Sequence, residues 1–361
     1  MTWIHDALER IKLECVPHRN YARALSQANA MLLVADGGEV ICITGPSRVG
    51  KSRIAAELTK LILGKRYEED ADLMPVVYID AQNAAIDSTF QSKHFTFHLL
   101  QAIKHPIYGM EKTGDKWGVE LARLFNDTSE RTLNEALDKA LEIRKTRYLF
   151  IDETHHILYS KRGPKDAAAF LDSWKCRAEK LKIVLVLVGA YPILNVLALS
   201  PHLLGRKHQL HLPRYYRVRE DLLVFYQILD FYSTLLRFPP GVTSLRDWGA
   251  LLYRESLGCI GLLSAWLRGS LALALAENSE TLNKEHLQKA RKSKFDLKSI
   301  EQEINDGERA IMVDGDNDDA VDQVDLKAGP TSTKEPAVKK QTKGRKPFQK
   351  KPRRYAVEGR A

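Results

Sequence analysis

The residues Gly45-Pro46-Ser47-Arg48-Val49-Gly50-Lys51-Ser52 have the spacing G-x-x-x-x-G-K-[ST], which suits the gripping of phosphates. Backbone N–H groups of such a loop wrap phosphate oxygens, and the helix that starts behind it adds partial positive charge. Lys51 would reach the β- and γ-phosphates, and the Ser52 hydroxyl would ligate Mg²⁺. Arg53 extends the set into the helix. A second chemical pair, Asp152-Glu153, follows about a hundred residues later. Asp152 there can hold the Mg²⁺ through water, while Glu153 can orient and polarise an attacking water.

Both sets need elements to hold them in place. Val40 to Thr44 is an apolar run ahead of the loop, and Arg53 to Leu63 reads as an amphipathic helix behind it. After Arg147, Tyr148-Leu149-Phe150-Ile151 is a run of four large apolar residues ending in Asp152-Glu153, as expected of a buried parallel strand whose carboxyl end faces a ligand. Pro75 to Asp80 and Ile183 to Val188 read as further buried strands, the latter ending in Gly189-Ala190, and His208 to Leu212 as a fifth. Helices are expected over 90–105, 132–144, 166–181 and 193–199, so the strands form a doubly wound parallel sheet. Two helices precede it, one carrying Trp3, Ile4, Leu8 and Ile11 and one over 20–34. Beyond residue 218 each segment reads as helix, to about Arg291, as in a small α-helical lid.

The expected organisation is an N-terminal helical segment over 1–38, an α/β core over 39–215 and a helical lid over 216–300. An acidic linker over 301–325 and a disordered basic tail over 326–361 complete it. The linker has 10 acidic residues against 1 basic, and the tail has 12 basic against 2 acidic. Charge blocks of this kind mark interaction tails. No apolar run reaches the ~18 residues of a membrane span, and the N-terminal residues lack a secretion signal. The four cysteines, Cys15, Cys42, Cys176 and Cys259, form no C-x-x-C pair, as suits a reducing cytoplasm. His94 and His98 lie one helical turn apart, without a carboxylate or cysteine in view to complete a metal site.

With the loop, the Asp-Glu strand, the fifth strand and the lid in place, the chain resembles the AAA+ ATPases. Among these it resembles the TnsC/TniB family of DNA-transposition regulators. That closer match rests on Asp152-Glu153-Thr154-His155-His156, Leu181 to Gly189, Arg206 and Gly258-Cys259-Ile260-Gly261. The resemblance implies a protein that binds ATP and Mg²⁺, assembles with copies of itself on duplex DNA as a ring or filament, and links a target-site selector to a transposase. Arg206 would then be the arginine finger that completes a neighbouring subunit's site. Pro17-His18-Arg19 sits where many such ATPases contact adenine, although a simple helix break reads equally well. Two departures stand out. Ala190 replaces the family's usual Thr after the fourth strand, and Gly258 to Leu263 has no second-sensor arginine, Arg268 coming nearly two turns later. Slow hydrolysis, with ATP acting as an assembly switch, is the expectation.

DNA binding without sequence preference needs Lys and Arg aimed at phosphates. The candidates are Lys93, Lys104, Lys112, Lys116, Lys161 and Arg162. The tail, where Phe348 and Tyr355 interrupt basic residues, is expected to order on DNA or on the transposase. Two rival readings are a protein-remodelling motor and a signalling or secretion switch that never touches DNA. The motor lacks an aromatic pore loop in Ala81 to Phe90.

Overall fold

The computed structural model describes residues 2–13, 16, 18–63, 72–83, 89–109, 117–198, 205 and 207–316. Arg206, Lys112, Lys116 and the basic tail lie outside these residues. Five strands, β1 (Val40–Thr44), β2 (Val76–Asp80), β3 (Tyr148–Asp152), β4 (Val184–Gly189) and β5 (Lys207–His211), form one parallel sheet in the order β2-β3-β4-β1-β5. β1, β3 and β4 are buried at every residue, which is why they read as unbroken apolar runs.

Successive side chains of a strand point to opposite faces, and each face has its own core. Ile41, Ile43, Phe150 and Val186 pack with helices α2 (Arg19–Val34) and α3 (Lys51–Leu63). Cys42, Leu149, Ile151 and Leu187 pack with α4 (Ser92–Ala102), α6 (Glu130–Ile143), α7 (Pro164–Leu181) and α8 (Ile193–Ala198). Between α4 and α6 lies α5 (Trp117–Asp127), a helix with no counterpart in the sequence-based expectation. Helix α1 (Thr2–Leu13) does not cover the sheet. Its Ile4, Ala7 and Ile11 enter the core of the lid, beside Phe225, Leu263 and Trp266.

The lid consists of α9 (Arg219–Ser233), a 3-10 turn (Leu245–Trp248) running into α10 (Gly249–Ser256), then α11 (Ile260–Ala276) and α12 (Lys284–Lys289). One further helix, α13 (Lys294–Asp316), departs from expectation. The acidic stretch expected as a linker from residue 301 is helical through residue 316. Its covered positions, Leu297, Ile300, Glu303, Ile304, Gly307, Glu308 and Ile311, recur at helical spacing along one face. Ile304 is fully buried against Cys259 and Leu262. No single helix among the described residues is long and apolar enough to cross a membrane.

Candidate functional site

At the carboxyl end of β1 the chain turns through 45–50 and enters α3 at Lys51. Two glycines make that turn possible. Gly50 has φ +111, a left-handed conformation with open space where a Cβ would point. A Cβ on Gly45 would lie 2.4 Å from the Leu212 carbonyl oxygen, so β5 and the loop meet backbone to backbone. Pro46 and Val49 are buried, whereas Ser47, Arg48, Ser52 and Arg53 are exposed. Lys51 is buried, and its Nζ donates to the carbonyls of Gly45 (3.0 Å) and Pro46 (2.7 Å). Burial pulls its pKa down, opposed by the carboxylates of Glu153, Asp152 and Glu303. A cation thus sits beneath a ring of backbone, and the buried hydroxyl of Thr44, the residue before the loop, has no hydrogen-bond partner among the described residues. A cradle open above Gly50 with a buried cation behind it fits a phosphate chain.

β4 lies between β1 and β3, so Asp152 stands two strand spacings, about 10 Å, from the loop strand. Asp152 is buried; its Oδ1 accepts from the Glu153 N–H at 2.8 Å and its Oδ2 from the Tyr78 hydroxyl. Local spacing in the sequence gives no sign of Tyr78, which sits on the neighbouring strand. Its partner is legible only from the β2–β3 register, which sets Tyr78 opposite Phe150 and Asp80 opposite Asp152. Glu153 has φ +50 and is exposed. Its side chain is half covered, and the partial loss of water together with the charge of Asp152 raises its pKa. His155 Nδ1 lies 3.2 Å from the Glu153 carboxylate without hydrogen-bond geometry, and burial lowers its pKa to about 4, so the imidazole is neutral. Ligand-capable atoms of Glu153, His155 and His156 lie within 4.8 Å of one another. His94 and His98 do meet, with ring centroids 4.1 Å apart and the rings tilted by 41°, yet no third ligand joins them among the described residues.

At the end of β4, Ala190 presents only a methyl group, and Tyr191 follows with its hydroxyl 2.9 Å from His211 Nε2. A second recess, of about 100 Å³, opens beside the loop between Val49 and Gly50, His18 and Tyr21, and Tyr232 and Ser264 of the lid. His18 caps α2, its Nδ1 accepting from the Tyr21 N–H, and therefore receives the Tyr215 hydroxyl at 2.8 Å. Burial lowers its pKa to about 4. Arg19 pairs with Asp221, which ties this segment to the start of the lid. The lid presses on the loop from the other side, since a Cβ on Gly261 would lie 2.1 Å from the Arg48 carbonyl oxygen.

Of the candidate DNA contacts, Lys93 and Lys161 line one cavity of about 630 Å³ with Arg177, Glu130 and Asp166. Lys93 Nζ also lies 4.7 Å over the Phe125 ring and donates to the Asn126 carbonyl. Arg162 follows Lys161 and is exposed. Lys104 is not part of this group, because it lies beyond the far end of α4, roughly 16 Å along the helix axis.

Residues 35–197 match the family model described as an AAA domain. No curated protein matches the chain. Among solved structures it is similar to the ORC1 protein of Aeropyrum pernix in complex with DNA, at 18% identity over 78% of this chain and 68% of that one, with TM-score 0.53. It is also similar to the ORC2 protein of Aeropyrum pernix in its ADP form, at 17% identity over 78% of this chain and 71% of that one, with TM-score 0.51. The chain therefore has the P-loop AAA+ fold.

Proposed function

We propose that this chain is an ATPase of the TnsC/TniB kind, which assembles on duplex DNA with little sequence preference and couples a target-site selector to a transposase. The observation that carries the reading is Lys51, buried under its own loop with its Nζ on the Gly45 and Pro46 carbonyls, the charges of Glu153 and Asp152 opposing the loss of its proton. The residues Gly45 to Arg53 hold the phosphates, and the recess at His18 accepts the base. Mg²⁺, held by Ser52 and through water by Asp152, would neutralise phosphate charge. Glu153 takes the proton of the attacking water, and Arg206 completes the site of a neighbouring subunit.

Ala190 cannot hydrogen-bond the γ-phosphate or the water, and the start of α11 presses glycine rather than arginine onto the loop. Both features favour slow turnover and a nucleotide that works as an assembly switch, hydrolysis driving disassembly. The DNA part of the reading draws on the resemblance carried by Asp152 to His156, on the ORC1 likeness, and on the Lys93–Lys161 cluster. The basic residues of 326–361 would contact DNA or the transposase.

The test compares wild type with Lys51→Ala and Glu153→Gln. Lys51→Ala should weaken nucleotide binding by about two orders of magnitude and abolish assembly, as loss of a charged hydrogen-bond donor to phosphate implies. Glu153→Gln should bind ATP normally, lose about 10²–10⁴-fold in hydrolysis and lock assemblies on DNA. Electron microscopy with and without duplex DNA reads assembly directly. Filaments indifferent to DNA and to Lys51 would overturn the proposal.

A further inference from the structure

The covered face of α13 is unusual in its chemistry. Its fixed points are Ile304, packed on Cys259 and Leu262, and Gly307, which lies so close to Tyr191 that a Cβ would fall 2.0 Å from the ring's Cγ. Tyr191 lies two residues past the end of β4, the strand between the phosphate loop strand and the Asp152 strand. The helix thus crosses the carboxyl edge of the sheet at its middle, where a ligand of the fold belongs. It brings carboxylates to that place. Glu308, buried, accepts two hydrogen bonds from Arg214, both 3.0 Å, and Asn305 accepts a third at 3.2 Å. Glu303, five residues earlier and next to Ile304, which packs on Cys259, bears electrostatically on both Lys51 and Cys259. A triphosphate arriving at Lys51 would meet the negative charge of Glu303.

We propose that the Glu303–Glu308 turn of α13 is an acidic latch over the phosphate side of the loop, holding Arg214 in a carboxylate grip that nucleotide triphosphate must break. The inference rests on the nucleotide-binding reading above. A buried ion pair suits such a switch, because desolvation cancels much of its attraction and a competing anion can replace one partner. Guanidinium binds phosphate oxygens in the same forked geometry as carboxylate oxygens. Once released, Arg214 supplies the cation that the start of α11 lacks. Triphosphate binding and lifting of α13 are then one coupled event.

The two halves of the ion pair should respond oppositely in the full-length protein. With a fluorescent ATP analogue as probe, Glu308→Gln and Glu303→Gln should tighten binding about fivefold or more, and Arg214→Gln should weaken it by a similar factor. A purely structural ion pair would instead make Glu308→Gln and Arg214→Gln lose affinity together, which would overturn the latch. Hydrogen exchange of the wild type gives a reading that needs no variant. Addition of a nonhydrolysable ATP analogue with Mg²⁺ should increase exchange over residues 300–311; increased protection there would overturn the proposal. If Lys51→Ala abolishes binding and Glu308→Gln leaves it unchanged, the latch alone falls. If neither wild type nor any variant binds nucleotide, both readings fall.

Discussion

At the scale of single residues, charge state decides what the site can do, and His18 shows how folding sets it. Its Nδ1 is an acceptor for the Tyr21 N–H that caps α2 and for the Tyr215 hydroxyl, so a proton there would break two contacts at once. Arg19, which pairs with Asp221, is the nearest cation in sequence and adds no reason to protonate. The folded pKa is lowered from 6.5 to about 4. Between those values the unfolded chain binds a proton that the folded chain does not, so stability rises with pH. The contribution is fully present above about pH 6.5 and is lost as pH falls toward 4. His155, similarly depressed, titrates in the same window. His18→Asn retains a capping acceptor and cannot titrate. Denaturant unfolding of the wild type should therefore show a loss on the order of 1–3 kcal/mol between pH 7 and 5. The variant should lose less and match the wild type near pH 7.5. Equal slopes for both proteins would exclude His18 as a source.

Among the elements, legibility in the sequence follows the evenness of burial. β1, β3 and β4 are buried along their whole length, so composition alone reveals them, and Gly45 to Ser52 and Asp152-Glu153 mark their ends. Tyr78 was not legible, because its role depends on strand register and not on local spacing. Helix α13 was hidden for a different reason. Two of its covered positions are glutamates and one is glycine, so the apolar stripe dwindles to Leu297, Ile300, Ile304 and Ile311, and the acidic count dominates. Arg214 and Glu308, 94 residues apart in the chain, could be joined only in the structure. At the loop itself the constraint is steric. Gly45→Ala would drive a methyl group into the Leu212 carbonyl, where backbone on both sides cannot yield without separating β5 from β1. Thermal unfolding should show a loss of about 1–3 kcal/mol, the usual size of overpacking. Nucleotide affinity should fall with it, even though no polar group is removed. Native stability in the Gly45→Ala variant would mean that the loop and β5 are free to separate.

For the molecule as a whole, charge is distributed by region. Residues 1–300 have 42 basic against 34 acidic side chains, a modest excess, whereas 326–361 have 12 against 2. If DNA is held mainly by the assembled core, its salt sensitivity should come from groups such as Lys93, Lys161 and Arg162. If the tail contributes, its lysines and arginines release counterions on binding, and the logarithm of the affinity falls with slope about 0.9 per phosphate neutralised. The prediction is that deleting 326–361 leaves ATP affinity unchanged, because the phosphate loop, the His18 recess and the latch turn of α13 all lie within residues 1–314, a unit distinct from 315–361. DNA retention at low salt should weaken, and the slope of log affinity against log salt should become shallower by several units. Substituting Lys93 and Lys161 with Gln in the deleted protein should then remove a further one to two units, about 0.9 for each contact. A truncated protein whose salt slope equals that of the full chain would restrict DNA contact to the core and leave the tail to protein partners.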